Sequence, residues 1–323
     1  MKYDIITIGD TTYDIFIKPH EAQTINSAKK GSQHAPYEKM LCFSYGDKIE
    51  VEDVTYSLGG TACNVAVGLK KLGLDTGLMS FCGGDDFGLK VKKIIDDIGI
   101  ELVNFITDRT IHTTYSFILR YKSDRTILVY RDHFDYKKLT IAKAKNTKWL
   151  YLSSLGDGYE KDAIKLMAEK NIKLAMNPGK HQLEEKKKEF LLLLKMAEIV
   201  IVNKEEAQIL AGARFPLSIK EIYYKLSEYN IKNLIITDAV HGAYARVGRE
   251  IIYQKAMRAD AIEQTGAGDA FGAGFLARYF ETEDTIESLK WGVVNGAKVT
   301  EKIGAQAGLL DRRQMEKIVA RIK

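Results

Sequence analysis

The residues best suited to chemistry lie together in Glu263-Gln264-Thr265-Gly266-Ala267-Gly268-Asp269. Gly266, Ala267 and Gly268 leave no bulky side chain over the backbone N–H groups, and the small and apolar run after them has helical spacing. A turn feeding a helix start is expected. The first N–H groups of a helix lack internal partners and sit at the positive end of its dipole, so a phosphate or developing oxyanion is stabilised there. A carboxylate beside that turn, Asp269, can take the proton of an attacking hydroxyl. The plainer alternative is an ordinary first-turn acid, which the dipole favours in any helix. Ala270, Gly274 and Ala277 then form a small face that lets the helix lie close to a neighbour.

Other candidates are spread along the chain. Ile5, Ile6 and Ile8 read as a buried strand, and the loop expected after Gly9-Asp10 carries Asp14, which can accept hydrogen bonds from two hydroxyls or make a local turn. Gly59-Gly60-Thr61-Ala62-Cys63-Asn64 suits either a close ligand approach or a glycine hinge into a helix capped by Thr61. Asn203, three residues before Glu206, suits a capping box and also a Mg²⁺ held through water. Thr237 and Gly242 follow another strand-like run, and Asn295 lies in a later helix with Trp291 and Val294.

The Gly-Ala-Gly-Asp run resembles the C-terminal signature of the ribokinase-like (PfkB) family of carbohydrate and nucleoside kinases, usually Asp-Thr-x-Gly-Ala-Gly-Asp. Gly60 and Asn64 match the N-terminal Gly-Gly-x-x-x-Asn signature, Asn203 and Glu206 match Asn-x-x-Glu, and Thr237 and Gly242 match Thr-x-Gly-x-x-Gly. Gly83, Asp85 and Gly88 resemble a further family segment, read here as a structural strand-to-helix turn. The resemblance implies transfer of the ATP γ-phosphoryl group to a hydroxyl. It implies that Asp14, Gly59, Gly60 and Asn64 hold the acceptor and that Asp269 is the base beside the Gly266, Ala267 and Gly268 amides. Mg²⁺ would be ordered by Glu206 and Asn203, and the nucleotide bordered by Asn203, Thr237, Gly242, Gly266, Gly268 and Asn295. Glu263 and Gln264 stand where relatives have an Asp and a Thr bordering a monovalent-cation site, which leaves a K⁺ requirement open. Ala175 and Ala239 also depart from the family pattern.

These residues need a scaffold that brings strand ends together. Apolar runs at Trp149 to Leu152, Lys173 to Met176, Glu198 to Val202 and Asn233 to Thr237 alternate with helical segments, which means a mostly parallel sheet covered on both faces. The expected fold is three-layer α/β/α with a small β-lid, in one domain spanning 1–323. The lid is assigned to insertions at about 15–58 and 105–135, as hairpins Met40 to Tyr45 with Lys48 to Leu58 around Gly46-Asp47, and Tyr115 to Tyr121 with Arg125 to Tyr130 around Lys122-Ser123-Asp124. In the family that layer covers the acceptor and in some members joins two subunits, so a homodimer through the lid is possible.

Composition excludes several classes. At 323 residues with 46% hydrophobic content the chain can fill a sizeable core. A net charge of +5 with both signs interspersed does not imply nucleic-acid binding. The basic run Lys186-Lys187-Lys188 reads as a solvated helix face. Three scattered cysteines suit a reducing compartment, and the absence of a signal-peptide pattern or an apolar run of ~20 residues makes the cytoplasm the expected location. No histidine spacing suggests metal hydrolysis or a catalytic triad, and a Rossmann dehydrogenase lacks its third glycine and its place after the first strand. The expected activity is an ATP-dependent kinase for a sugar or sugar-like acceptor. The alternatives are a nucleoside kinase, whose base could stack on lid aromatics such as Tyr115 and Phe117, and a non-catalytic binding protein of the same fold.

Overall fold

In a computed structural model, which describes residues 2–26, 39–122 and 124–322, strands and helices alternate along most of the chain. The order opens β1 (Tyr3–Ile8), β2 (Thr12–Pro19), β3 (Gln23–Asn26), β4 (Lys39–Cys42), β5 (Val51–Gly59), α1 (Thr61–Lys71), β6 (Thr76–Gly83), α2 (Asp86–Ile98), β7 (Glu101–Asp108), β8 (Tyr115–Tyr121) and β9 (Asp124–Tyr130). It continues β10 (Thr147–Leu152), α3 (Glu160–Lys170), β11 (Lys173–Met176), α4 (Lys180–Glu185), α5 (Lys188–Met196), β12 (Ile199–Asn203), α6 (Lys204–Leu210), α7 (Ile219–Leu226) and β13 (Leu234–Thr237). It closes β14 (Ala243–Val247), β15 (Glu250–Gln254), α8 (Ala267–Thr282), α9 (Thr285–Val299) and α10 (Arg312–Val319).

Nine strands form the central sheet in the order β15-β14-β13-β12-β11-β10-β1-β6-β7. All pairs from β13 to β7 are parallel, and β14 and β15 add an antiparallel edge. Alternation along β1 explains the layers: Ile6 and Ile8 pack with α3, α5, α6 and α7 on one face, while Ile5 packs with α1, α8 and α9 on the other. Burial on both faces is what the continuous apolar strands require. β1 lies between β10 and β6, so chain connections leave it in opposite directions and open a crevice at the strands' carboxyl ends.

A separate four-stranded sheet, β5-β2-β8-β9, forms the lid. It corrects two sequence-based expectations. Asp14 lies within β2, not in a loop, because β2 pairs with β5 and β8 along its length. The expected hairpin around Gly46-Asp47 does not form: β4 pairs with β3 in its own ribbon and β5 pairs with β2. Ser123, in the expected turn between β8 and β9, and residues 27–38 of the first lid stretch lie outside the described residues; β8 and β9 themselves pair antiparallel from Tyr115↔Tyr130 to Tyr121↔Asp124. Another correction concerns the lysine run, which is no helix face: Lys186 adopts a left-handed backbone (φ 49°) that ends α4 before α5 begins.

Candidate active site

The crevice is built from three helix starts and the lid. Gly266 enters α8 with φ 80°, and a Cβ there would lie 2.5 Å from Ala305 Cβ, so a side chain is excluded by backbone and by space. Gly268, in the first turn of α8, has nothing within 4 Å of its absent Cβ and faces open space. Asp269 is the first-turn acid of α8. Gly60, not Thr61, is the residue that caps α1: its φ is 90°, and a Cβ would meet the Asp10 carbonyl oxygen at 2.3 Å. That close approach brings α1 down onto the end of β1.

Asn64, on α1, is buried and donates through Nδ2 to Asp269 Oδ2 at 2.7 Å. Its Oδ1 accepts from Gln306 Nε2 at 2.9 Å. The carboxamide is therefore held in one orientation with its N–H₂ toward the carboxylate. Burial pushes the Asp269 carboxyl above its ordinary value, opposed by the Asn64 and Thr61 side chains. Raised proton affinity suits a base that must receive a hydroxyl proton.

Asp14 projects from the lid into the same space. Thr12 Oγ1 donates to its Oδ1 at 3.1 Å, and Gly59 at the end of β5 stands against its other oxygen. Burial, followed by the Asp269 and Glu263 charges, raises its pKa to about 6 against the lowering effect of the Thr12 and Ser116 side chains. Directly across the lid, in register, are Ser57 on β5 and Ser116 on β8. The lid aromatics occupy the opposite face. Tyr13, Tyr115 and Tyr130 pair one residue out of phase with Asp14, Ser116 and Val129. Tyr13 and Tyr115 pack on Phe87 of α2 at 5.1 and 5.2 Å between ring centroids. Phe16 and Ile118 share the Asp14 face but are fully buried.

Asn203 and Glu206 form a capping box at α6: Glu206 N–H donates to Asn203 Oδ1 and Asn203 N–H to Glu206 Oε2, each at 2.8 Å. The box uses Oε2, which leaves Oε1 of Glu206 for another partner. Burial, then the Asp269 and Glu205 charges, raises the Glu206 carboxyl. A hard divalent cation fits this set, because carboxylate oxygens raised by burial and mutual repulsion gain most from positive charge. Asn203 Oδ1 accepts the cap hydrogen bond, and its amide N–H₂ is able to donate to an anion.

A second cleft of about 570 Å³ runs from Gly268 across Thr237, Gly242, Lys255, Arg258 and Gln264 to Thr300. Thr237, Gly242 and Gly268 thus line it together. Asn295 does not: it is fully buried, donates to the Ala270 carbonyl at 2.8 Å and accepts from Leu310 N–H at 3.3 Å. Its neighbours Val293, Gly296 and Ala297 supply the cleft wall from α9. Helical periodicity explains the correction, since Asn295 points toward α8 while residues on the other stripe face the cleft. Gln306 and Arg125 escaped the sequence reading; the small-residue loop Gly304-Ala305 before Gln306 was the only local signal for the first. His181, isolated in sequence, lies with Asp157 and Glu185 in an exposed group already bridged by Lys187.

A mostly parallel sheet with an open glycine-led helix start, a raised carboxylate beside it, a lid carrying Asp14, Ser57 and Ser116, and a long cleft suit a phosphotransferase with an alcohol acceptor. The comparisons agree. Residues 32–312 match the pfkB family carbohydrate kinase profile, and the chain belongs to that family of ATP-dependent sugar and nucleoside kinases. It is 22% identical over 324 residues to the ATP-dependent 6-phosphofructokinase of Thermoanaerobacterium thermosaccharolyticum, covering 96% of this chain and 92% of that protein. In fold it is similar to the Methanocaldococcus jannaschii nucleoside kinase, with a TM-score of 0.73, 22% identity and 99% of each chain covered. An Escherichia coli structure in complex with ATP and Mg²⁺ superposes with a TM-score of 0.77 at 16% identity, again over 99% of each chain. Among the described residues no helix is long and apolar enough to cross a membrane.

Proposed function

We propose that this kinase phosphorylates a hydroxyl of a sugar or sugar-like molecule, with Asp269 as the general base. The observation that carries the acceptor class is the phase of the lid strands. Alternation directs Asp14, Ser57 and Ser116 at the site and sends Tyr13, Tyr115 and Tyr130 to the other face, so the open surface offers hydroxyl-binding groups in place of a stacking platform.

In this reading Asp14 and the Gly59-Gly60 turn orient the acceptor, and its reacting hydroxyl lies by Asp269. Asn64, fixed by Gln306, holds the carboxylate in line and keeps it ionised enough to accept the proton. The amides of Gly266, Ala267 and Gly268 receive the charge of the transferring phosphoryl group, which is where phosphoryl transfer most needs stabilisation. Thr237 and Gly242 border the nucleotide, and Asn203 donates to its phosphates. Mg²⁺, bound with ATP in the E. coli relative, is assigned to Glu206, where it would neutralise phosphate charge. The exposed apolar edge Ile127, Leu128, Val129 and Tyr130 supports a homodimer through the lid, which sedimentation of the protein tests directly.

The deciding experiment is ADP release from MgATP against sugars, sugar phosphates and nucleosides. Turnover with a sugar or its phosphate, at a kcat/KM at least tenfold above every nucleoside, is expected. A nucleoside preferred over all sugars overturns the acceptor assignment. No turnover with any acceptor, despite ATP binding, overturns the catalytic roles assigned above.

A further inference from the structure

The loop that leads into Gly266 is held by a buried acid whose partner comes from the lid. Glu263 has a side chain only 2% exposed. Its Oε2 accepts from Thr265 N–H at 2.9 Å and its Oε1 from Thr265 Oγ1 at 2.7 Å, so the carboxylate folds back on the turn that starts α8. The Glu263 backbone N–H donates to the Thr300 carbonyl at 3.1 Å, which fixes the other side of the loop. Arg125 Nε, from β9, lies 3.3 Å from Glu263 Oε1.

Register explains why Arg125 reaches that far. Arg120 and Arg125 stand directly opposite each other on β8 and β9, an arrangement that like charges disfavour. Each turns to a separate acid: Arg120 Nη2 to Asp53 at 2.8 Å, and Arg125 to Glu263. The two pairs line a cavity of about 450 Å³ between the lid and Ile262, Gln264 and Ile303. Arg125 also lines the long nucleotide cleft, so its guanidinium stands between the two spaces.

A K⁺ ion beside Glu263, as the family resemblance would suggest, does not fit this arrangement. Both carboxylate oxygens have donors, the charge is already balanced, and a guanidinium 3.3 Å away would repel a second cation. We propose that Arg125 is a positioning residue for phosphoryl transfer: it supplies from the lid the positive charge that holds the Glu263 loop and the anion-binding turn, so the reaction is independent of monovalent cations. The inference rests on ATP-dependent phosphoryl transfer and is indifferent to which acceptor is used. Arg125 acts through Glu263, so its loss disturbs the turn without removing any acceptor contact.

The test has one arm without substrates and one with them. Thermal unfolding of the wild-type protein should be the same in KCl and in tetramethylammonium chloride at matched ionic strength. MgATP turnover with the best acceptor from the panel should likewise agree within about twofold in the two salts, whereas a cation needed to position the turn would change the rate by about a hundredfold. Arg125→Ala should lower kcat by about ten- to a hundredfold with little change in acceptor KM, and millimolar guanidinium should restore part of that loss in the variant only. Arg125→Lys should keep the cation independence with a reduced kcat, and it decides the matter if the alanine variant does not fold. A wild-type enzyme activated tenfold or more by K⁺, or stabilised by K⁺ over tetramethylammonium, overturns the proposal, as does Arg125→Ala with undiminished kcat. Failure of every acceptor in the panel counts against the catalytic roles proposed above, whereas the unfolding arm still reads the cation independence of the Glu263 loop.

Discussion

Replacing Asp14 by Asn separates stability from binding at one position. The wild-type carboxyl titrates at about 6 in the folded protein, chiefly because burial on β2 disfavours its charge, against an ordinary value of 3.8 in the unfolded chain. A folded-state value above the unfolded one means that the native state binds the proton more tightly. The stability this confers is complete below pH 3.8 and is lost as pH rises through about 6. At 1.36 kcal/mol per tenfold in proton affinity, the loss between those limits is about 3 kcal/mol. A carboxamide at this position carries no such charge and keeps an oxygen for the Thr12 hydroxyl. The stability difference, Asp14→Asn minus wild type, should therefore grow by about 2.4 kcal/mol between pH 4 and pH 7, measured by urea unfolding at each pH. Taking the difference cancels the parallel contributions of Asp10 and Glu206, whose carboxyls are also raised by burial. The same substitution should raise the acceptor KM by about ten- to a hundredfold, the value of hydrogen bonds to a charged group, and leave the ATP KM unchanged. A stability difference that is flat with pH would refute the buried, site-facing assignment of Asp14. An unchanged acceptor KM would refute its part in binding.

Asp269→Asn should lower kcat by roughly 10² to 10⁴ while the protein gains stability above the carboxyl's unfolded pKa, since a buried charge is removed; full turnover in the folded variant would end the general-base assignment. Gln306→Ala frees the Asn64 carboxamide to rotate and should cut kcat by about tenfold with little effect on the ATP KM, because misplacement of a catalytic group acts on the chemical step. Ala239 holds a left-handed backbone at φ 46°, which costs an L-residue about 1–2 kcal/mol, while glycine's extra freedom in the unfolded chain costs about 0.4–1 kcal/mol. Ala239→Gly should accordingly stabilise by about 0.5–1 kcal/mol in denaturant titration, and a destabilised variant would contradict the strain.

Much of the fold was legible because its signals are short-range. Apolar runs of strand length, glycines at helix entries and the Asn203–Glu206 cap each depend on a few neighbouring residues, and each survived into the structure. β2 was missed because its pattern Thr-Tyr-Asp-Ile-Phe-Ile-Lys-Pro places an acid within the strand, where local reading favours a loop. The hairpin error at Gly46 has a related cause: a turn residue marks a reversal but does not say which strands pair across it.

The sequence by itself determined the alternating α/β plan, the glycine turn at Gly266 to Gly268 that starts a helix and the acid beside it, because backbone freedom and helix electrostatics are local properties. Only the tertiary structure decided which face of the lid carries Asp14 and which carries Tyr13, since one residue of slip in strand register would exchange them. It also decided the pairing of Asn64 with Gln306, 242 positions away, and of Arg125 with Glu263. Such contacts follow from how the lid and the final loop pack on the sheet, and no spacing within either segment encodes the other.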